Sequence, residues 1–326
     1  MKLLHDAIPT DRFLALPDHP GRSSAARRTG IEIEFAGLDV PAAAEVVRGQ
    51  WGGAITQADP REIVLEGGAH GRVKVELDIS LKRKWAEDMA AQALGDLVPV
   101  EIVTAPLAQA DLLQADRLVA ALRAAGALGT QARLAFGFGV HFNTELPGPE
   151  GEGLVAVARA YALVEDWLRA SDPVDLARRV LPFVDPWPKA LVDALAGLTH
   201  DDPRALAQLY AAHAPSRHFG LDLLPALEHL CPEVLADVPP EHLKGGRPTF
   251  HYRLPEARLD APDWSLAYEW NRWCMVEQVA VTPGLLAALA DGWQAHRRGL
   301  VPMRQDWAAE VEALLGTARL LDSDAV

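Results

Sequence analysis

Short runs in which polar and apolar residues alternate recur through the first half of the chain and return once near its end. Residues 28–37 read "RTGIEIEFAG", so Glu32 and Glu34 alternate with Ile31, Ile33 and Phe35. Extended backbone sends successive side chains to opposite faces, which puts both carboxylates on one side and the three apolar groups on the other. The pattern repeats at 72–78, where Lys74, Glu76 and Asp78 alternate with Val73, Val75 and Leu77. It repeats at 98–103, where Glu101 stands between Val100 and Ile102. His141, Asn143 and Glu145 alternate within 136–145, and His251 and Arg253 within 249–254. With a further run at 62–66, these segments suit a sheet that has one apolar and one polar face.

Between and after the strands the period changes to that of helices. Helices are expected at 41–48, 82–94 and 108–125, where Leu112, Leu113, Leu118, Val119 and Leu122 form one stripe and Gly126 a stop. From about 150 to 232 the strand signal vanishes, and helices are expected at 153–169, 175–181, 190–195, 203–213 and 221–230. Three more are expected at 264–279, 283–297 and 306–320. The fold class is therefore α+β. Residues 1–29, broken by Pro9, Pro17 and Pro20, read as an N-terminal arm pinned loosely by Phe13, Leu14 and Leu16. Residues 30–326 read as one domain with a helical insertion at about 150–232.

Composition narrows the partners. Among 326 residues, 45 are acidic and 31 basic, a net charge of -14. Nucleic acid and anionic membrane surfaces both require a basic stripe, so neither is expected as a partner. No apolar run reaches ~18 residues and the N-terminus lacks a signal-peptide pattern, so neither a transmembrane helix nor export is expected. The two cysteines, Cys231 and Cys274, form no CxxC, so a disulfide framework and a thiolate zinc site are not expected. A cytoplasmic location follows as the expectation.

The polar face carries the chemistry. Any one strand alone is explained by a solvated sheet face. Glu101 differs, because it is the one charge in "PVEIVTAP". If helices cover the apolar face, carboxylates collected on the other need a compensating cation. Carboxylates with an occasional imidazole suit Mg²⁺ or Mn²⁺. In "KGGRPTFHYR", Lys244 and Arg247 flank two glycines ahead of Arg253, a segment open to reading as a phosphate loop or as a surface turn. There is no Walker loop, GxSxG or HExxH, and "GFG" at 137–139 leads into a strand without a third glycine.

The runs "TGIEIEF", "VELDISL", "EIVTAPL" and "GFGVHFNTE", followed by "SRHFGLDLLPAL" and "KGGRPTFHYRLPEARLD", resemble in that order the amidoligase family. That family belongs to the carboxylate–amine ligase superfamily with glutamine synthetase and glutamate–cysteine ligase. The motifs span about 30 to 280. The resemblance implies a glutamine-synthetase-like, mainly antiparallel sheet curved into a half-barrel, with helices on its outer face. It implies ATP, Mg²⁺ (or Mn²⁺) and formation of an amide or peptide-like bond between small-molecule or peptide carboxylate and amine substrates.

Carried over by motif, Glu32, Glu34 and Glu101 would bind metal, with Glu34 and Glu101 also serving catalysis. His141 would join the metal near phosphate, and Asp78 is a further metal candidate. Arg253 would face the transferred phosphoryl group, with Lys244, Arg247 and Arg217 on ATP. One position departs from the pattern: His251 stands where the family's "TxEFR" strand carries glutamate. An imidazole can still ligate metal but removes a charge. Two other readings stay open, a metal-dependent amide hydrolase and a non-catalytic binding or regulatory relative. Substrate identity, the proton acceptor and oligomeric state are not legible.

Overall fold

The computed structural model describes residues 4, 7–59, 61–77, 99–130, 137–173 and 184–321. Among them, nine strands form one open, mainly antiparallel sheet. These are β1 (Arg28–Phe35), β2 (Ala54–Asp59), β3 (Glu62–Gly68), β4 (Gly71–Leu77) and β5 (Val100–Thr104), then β6 (Leu107–Ala108), β7 (Val140–Thr144), β8 (Leu221–Asp222) and β9 (His251–Tyr252). The spatial order is β2-β3-β4-β5-β1-β7-β9-β8, with β6 beside the start of β1. The first acidic run therefore lies in the middle of the sheet, between β5 and β7.

Register fixes which residues share a face. Ile33 lies opposite Ile102 on one side and Val140 on the other, and Ile31 lies opposite Phe142. Val73, Val75, Ile63 and Leu65 extend this apolar surface, and all of these side chains are buried in one core. Helices cover it. Helix α1 (Val40–Trp51) packs on β3 and β4. The Asp39 side chain caps α1 by accepting from Ala42 N at 2.8 Å, and Pro41 occupies its first turn. Its buried stripe is Val40, Ala43, Ala44, Val47 and Trp51.

The other α-helices among the described residues are α2 (Leu112–Ala124), α3 (Leu154–Ser171), α4 (Lys189–Gly197), α5 (Pro203–His213), α6 (Leu224–Leu230), α7 (Leu266–Val281), α8 (Leu285–Arg297) and α9 (Arg304–Thr317). In α2 the expected stripe is buried except for Leu113, which faces solvent, while Ala115 joins it. Among the described residues, no single helix is long and apolar enough to cross a membrane. Helix α7 packs against α2, α3 and α8, and 13 of its 16 residues are buried. The buried set includes Glu269, Arg272 and Glu277.

Several expectations change. Strand β2 was not anticipated: its six residues are all exposed at the sheet edge, so it carries no apolar alternation. The helix expected at 221–230 begins at Leu224, because Leu221 and Asp222 pair with Tyr252 and His251 as β8. Strand β7 is confined to Val140–Thr144 within the expected 136–145. The helices expected at 82–94 and 175–181 lie outside the described residues.

The N-terminal segment is fastened by buried polar bonds, where apolar contacts alone had suggested loose pinning. Asn271 of α7 accepts from Leu14 N at 2.9 Å and donates to Pro9 O and Arg12 O at 2.8 Å each. Trp270 Nε1 donates to Leu14 O at 2.8 Å. Arg27 is clamped on Glu277 through both carboxylate oxygens, at 2.5 and 2.8 Å.

Candidate active site

Strand pleat brings the polar residues of four neighbouring strands onto the face opposite the helices. Glu34 on β1 lies opposite Glu101 on β5, Glu101 opposite Glu76 on β4, and Glu76 opposite Glu62 on β3. The result is a row of four carboxylates across the sheet. Glu76 is paired with Lys74 at 2.5 Å, toward the wetter end. At the other end Glu32 lies opposite His141 of β7, and Asp222 of β8 lies opposite His251 of β9.

The side chains at this end interlock. His141 Nδ1 is 2.7 Å from Glu32 Oε2, and its Nε2 is 3.6 Å from Glu34 Oε1. Asn143 Nδ2 donates to Glu32 Oε1 at 2.8 Å. The backbone N–H of Gly139 donates to Glu34 Oε2 at 2.7 Å, fixing that carboxylate against the strand. His251 Nδ1 is 3.2 Å from Asp222 Oδ2, and its Nε2 is 3.8 Å from Glu32 Oε2. The two imidazoles meet edge to face with centroids 5.3 Å apart.

Burial sets the protonation states. It draws the His141 imidazole down to about 3, with Arg253 and His251 acting the same way against the opposing pull of Glu32. His141 is therefore neutral at pH 7, as a metal ligand must be. Burial pushes Glu32 up, but His141 and His251 outweigh it and hold the carboxyl well below its ordinary value. Asp222 likewise lies below its ordinary value, because His251, Arg253 and the Leu224 N–H outweigh the effect of burial.

Among the described residues, two groups have the geometry of a cation site. One is Glu32, His141 and His251; the other is Glu34, Glu101 and His141. Within each group the candidate ligand atoms lie within 4.8 Å of one another, and His141 belongs to both. An observation independent of the acids points the same way. His251 Nε2 is buried and has no hydrogen-bond partner, a costly state for an imidazole nitrogen unless something else uses its lone pair. The residues therefore fit a divalent cation.

Arg253 follows β9 and is buried at the edge of this cluster. Its backbone N–H donates to Gly220 O at 2.8 Å, and Nη1 donates to Arg217 O. Gly220 is in turn packed closely on Tyr161, since a Cβ there would lie 2.4 Å from Tyr161 Oη. Arg217 is half-buried. Burial and then Arg253 pull its pKa down, while Asp222 and Glu32 oppose them, so all four sit in one electrostatic neighbourhood.

The glycine segment is more peripheral. Arg247 is exposed, although its N–H donates to Pro225 O at 2.8 Å and ties the loop to α6. Lys244 is exposed, and no contact links it to Glu32 or Arg253 among the described residues. Asp78 lies outside the described residues.

Two side chains in the cluster were not among the sequence candidates. Asn143 falls on the polar face of an expected strand, where nothing in its pattern assigns it a role. Asp222 falls within an expected helix, although it is the one charge in "FGLDLLPAL", the same signal that singles out Glu101.

No curated protein and no solved structure matches the chain significantly. A family model described as "Putative amidoligase enzyme" matches residues 25–275, a span that begins just before β1 and ends within α7. That span contains every residue of the cluster. The chain therefore belongs to the amidoligase family of amide-bond-forming ligases.

Proposed function

We propose that the protein is an ATP-dependent carboxylate–amine ligase that works through an acyl phosphate. The observation that carries this reading is the pair of three-ligand groups sharing His141, with Arg253 alongside, in an amidoligase chain. A free carboxylate is a poor acyl donor at neutral pH. Moving the γ-phosphoryl group of ATP onto it, with release of ADP, makes a mixed anhydride that an amine can attack, with release of phosphate. The protein's share of this chemistry is positioning and charge neutralisation.

In this reading Glu32, Glu34, Glu101, His141 and His251 hold divalent cations, with Mg²⁺ accompanying ATP. Bound cations supply charge neutralisation on the phosphates. Arg253 stabilises the phosphoryl group in transit, with Arg217 and Arg247 on the remaining phosphates. The Gly139 N–H and Asn143 keep Glu34 and Glu32 aimed while the substrates change. We read the open sheet as a glutamine-synthetase-like half-barrel. A cytoplasmic location suits its free, buried cysteines, Cys231 and Cys274.

The test is ADP release with Mg²⁺ and pools of amino acids, peptides and amines. Wild-type protein should release ADP only when both a carboxylate and an amine are present, and Glu34→Gln should abolish that release while the circular dichroism spectrum stays unchanged. Turnover of an amide without ATP would overturn the ligase reading in favour of a hydrolase.

A further inference from the structure

His251 is held from behind. Asp222 Oδ2 lies 3.2 Å from its Nδ1, and Asp222 Oδ1 accepts from the Leu224 N–H at 2.9 Å. Both residues are 2% exposed. An ionised carboxylate only accepts, so the proton of a neutral His251 sits on Nδ1. Its Nε2 lone pair then faces outward with no hydrogen-bond partner, 3.8 Å from Glu32 Oε2. A carboxylate behind an imidazole fixes its tautomer and makes its free nitrogen a better ligand.

The donor set of this half of the site is correspondingly unusual for a magnesium site. Glu32, His141 and His251 offer two imidazole nitrogens and one carboxylate oxygen. Magnesium prefers oxygen and retains its water, whereas imidazole suits first-row transition cations. The adjoining group of Glu34, Glu101 and His141 is the oxygen-rich one.

We infer that Asp222 and His251 act as a unit that makes the Glu32–His141–His251 group a site for an imidazole-binding divalent cation, of the Fe²⁺, Co²⁺ or Zn²⁺ class, in preference to Mg²⁺. Asp222 is a positioning residue here, acting through His251. The inference rests on the proposed cation site and adds its chemical identity. It assigns His141, which has a single lone pair when neutral, to this group, and leaves the oxygen donors Glu34 and Glu101 as the part of the site that suits magnesium.

Co²⁺ titration of the full-length chain, followed by its visible absorption and competed with Mg²⁺, tests this without any turnover. Wild type should bind Co²⁺ at least about tenfold more tightly than Mg²⁺, with bands showing nitrogen ligation. Asp222→Asn should weaken Co²⁺ binding by about 10–100-fold, as loss of a carboxylate behind a metal-bound imidazole does. Its circular dichroism should be unchanged. His251→Glu should reverse the preference toward Mg²⁺ and provides a second handle if Asp222→Asn folds poorly. Nitrogen NMR of the metal-free wild type should show the His251 proton on Nδ1. Equal affinities for the two cations, or an Asp222→Asn chain that folds and binds Co²⁺ like wild type, would overturn the inference and leave the ligase reading standing. Failure of wild type to bind any divalent cation would overturn both.

Discussion

Two of the places where the described residues bury charged side chains are built differently. Behind the sheet, around α7, each buried acid is matched by a guanidinium. Glu277 is clamped by Arg27, and Trp273 Nε1 donates to it at 2.8 Å. Glu269 is paired with Arg272 at 2.7 Å, and Asp172 with Arg272 and Arg258 at 3.1 and 3.0 Å. On the opposite face Glu32 is held by His141, His251 and Asn143, two imidazoles and an amide. The first arrangement is closed, with protein cations satisfying protein anions. The second gathers acids around imidazole and amide groups and keeps a buried His251 nitrogen without a hydrogen bond. Burial of charge alone does not mark a functional site; the identity of the partner does.

The largest expected effect breaks the closed cluster. Arg27→Ala strands the Glu277 carboxylate inside the protein and should cost about 3–5 kcal/mol, read as a lower denaturant midpoint by tryptophan fluorescence. Glu32→Gln should cost less. The Glu32 carboxyl is also held below its ordinary value, so its loss removes some stability at neutral pH, but the amide strands no buried charge; the cost should stay below that of Arg27→Ala while divalent-cation binding drops at least about tenfold. Equal destabilisation by the two changes would erase the distinction between the clusters.

Acid titration sharpens the comparison further. Burial pushes the Glu277 carboxyl up, but Arg27 and His19 outweigh it and hold its pKa below the ordinary 4.5. A folded-state value below the unfolded one means that the unfolded chain binds the proton first. The stabilisation is therefore complete above about pH 4.5 and is lost as pH falls toward the lowered value. Glu277→Gln should be less stable than wild type at neutral pH, and the gap should narrow across that acid window. The smallest effect belongs to the surface. Arg48 and Glu45, one helical turn apart and half exposed, form an ion pair whose removal by Arg48→Ala should change stability by no more than about 0.5 kcal/mol.

The two clusters also differ in how far the sequence reveals them. Period-two alternation announces Glu32, Glu34, Glu101 and His141, because a strand with a buried back must show its other residues on the front. The same rule fails for β2, whose exposed residues have no back to bury. It also fails for Asp222, whose two-residue strand is too short to have a period and is joined to an apolar helix. The charges of α7 were equally hidden. "LAYEWNRWCMVEQVAV" has no polar stripe, because its acids find arginines from Arg27, Arg258 and Arg272 inside the core. Such pairing depends on residues as far apart as 27 and 277, which local pattern does not encode. The link between Arg253 and Arg217 runs through a carbonyl and leaves no trace in composition.

The most direct test of the central claim is a thermal melt with and without a divalent cation, supplied in turn as Mg²⁺ and Co²⁺, for wild type and Glu32→Gln. A cation bound only by the folded chain at about a hundredfold over its Kd adds about 2.7 kcal/mol. The wild-type Tm should rise with at least one of the two ions, and the rise should be lost in Glu32→Gln. A wild-type Tm that no divalent cation moves would contradict the assignment of the inner face as a cation site.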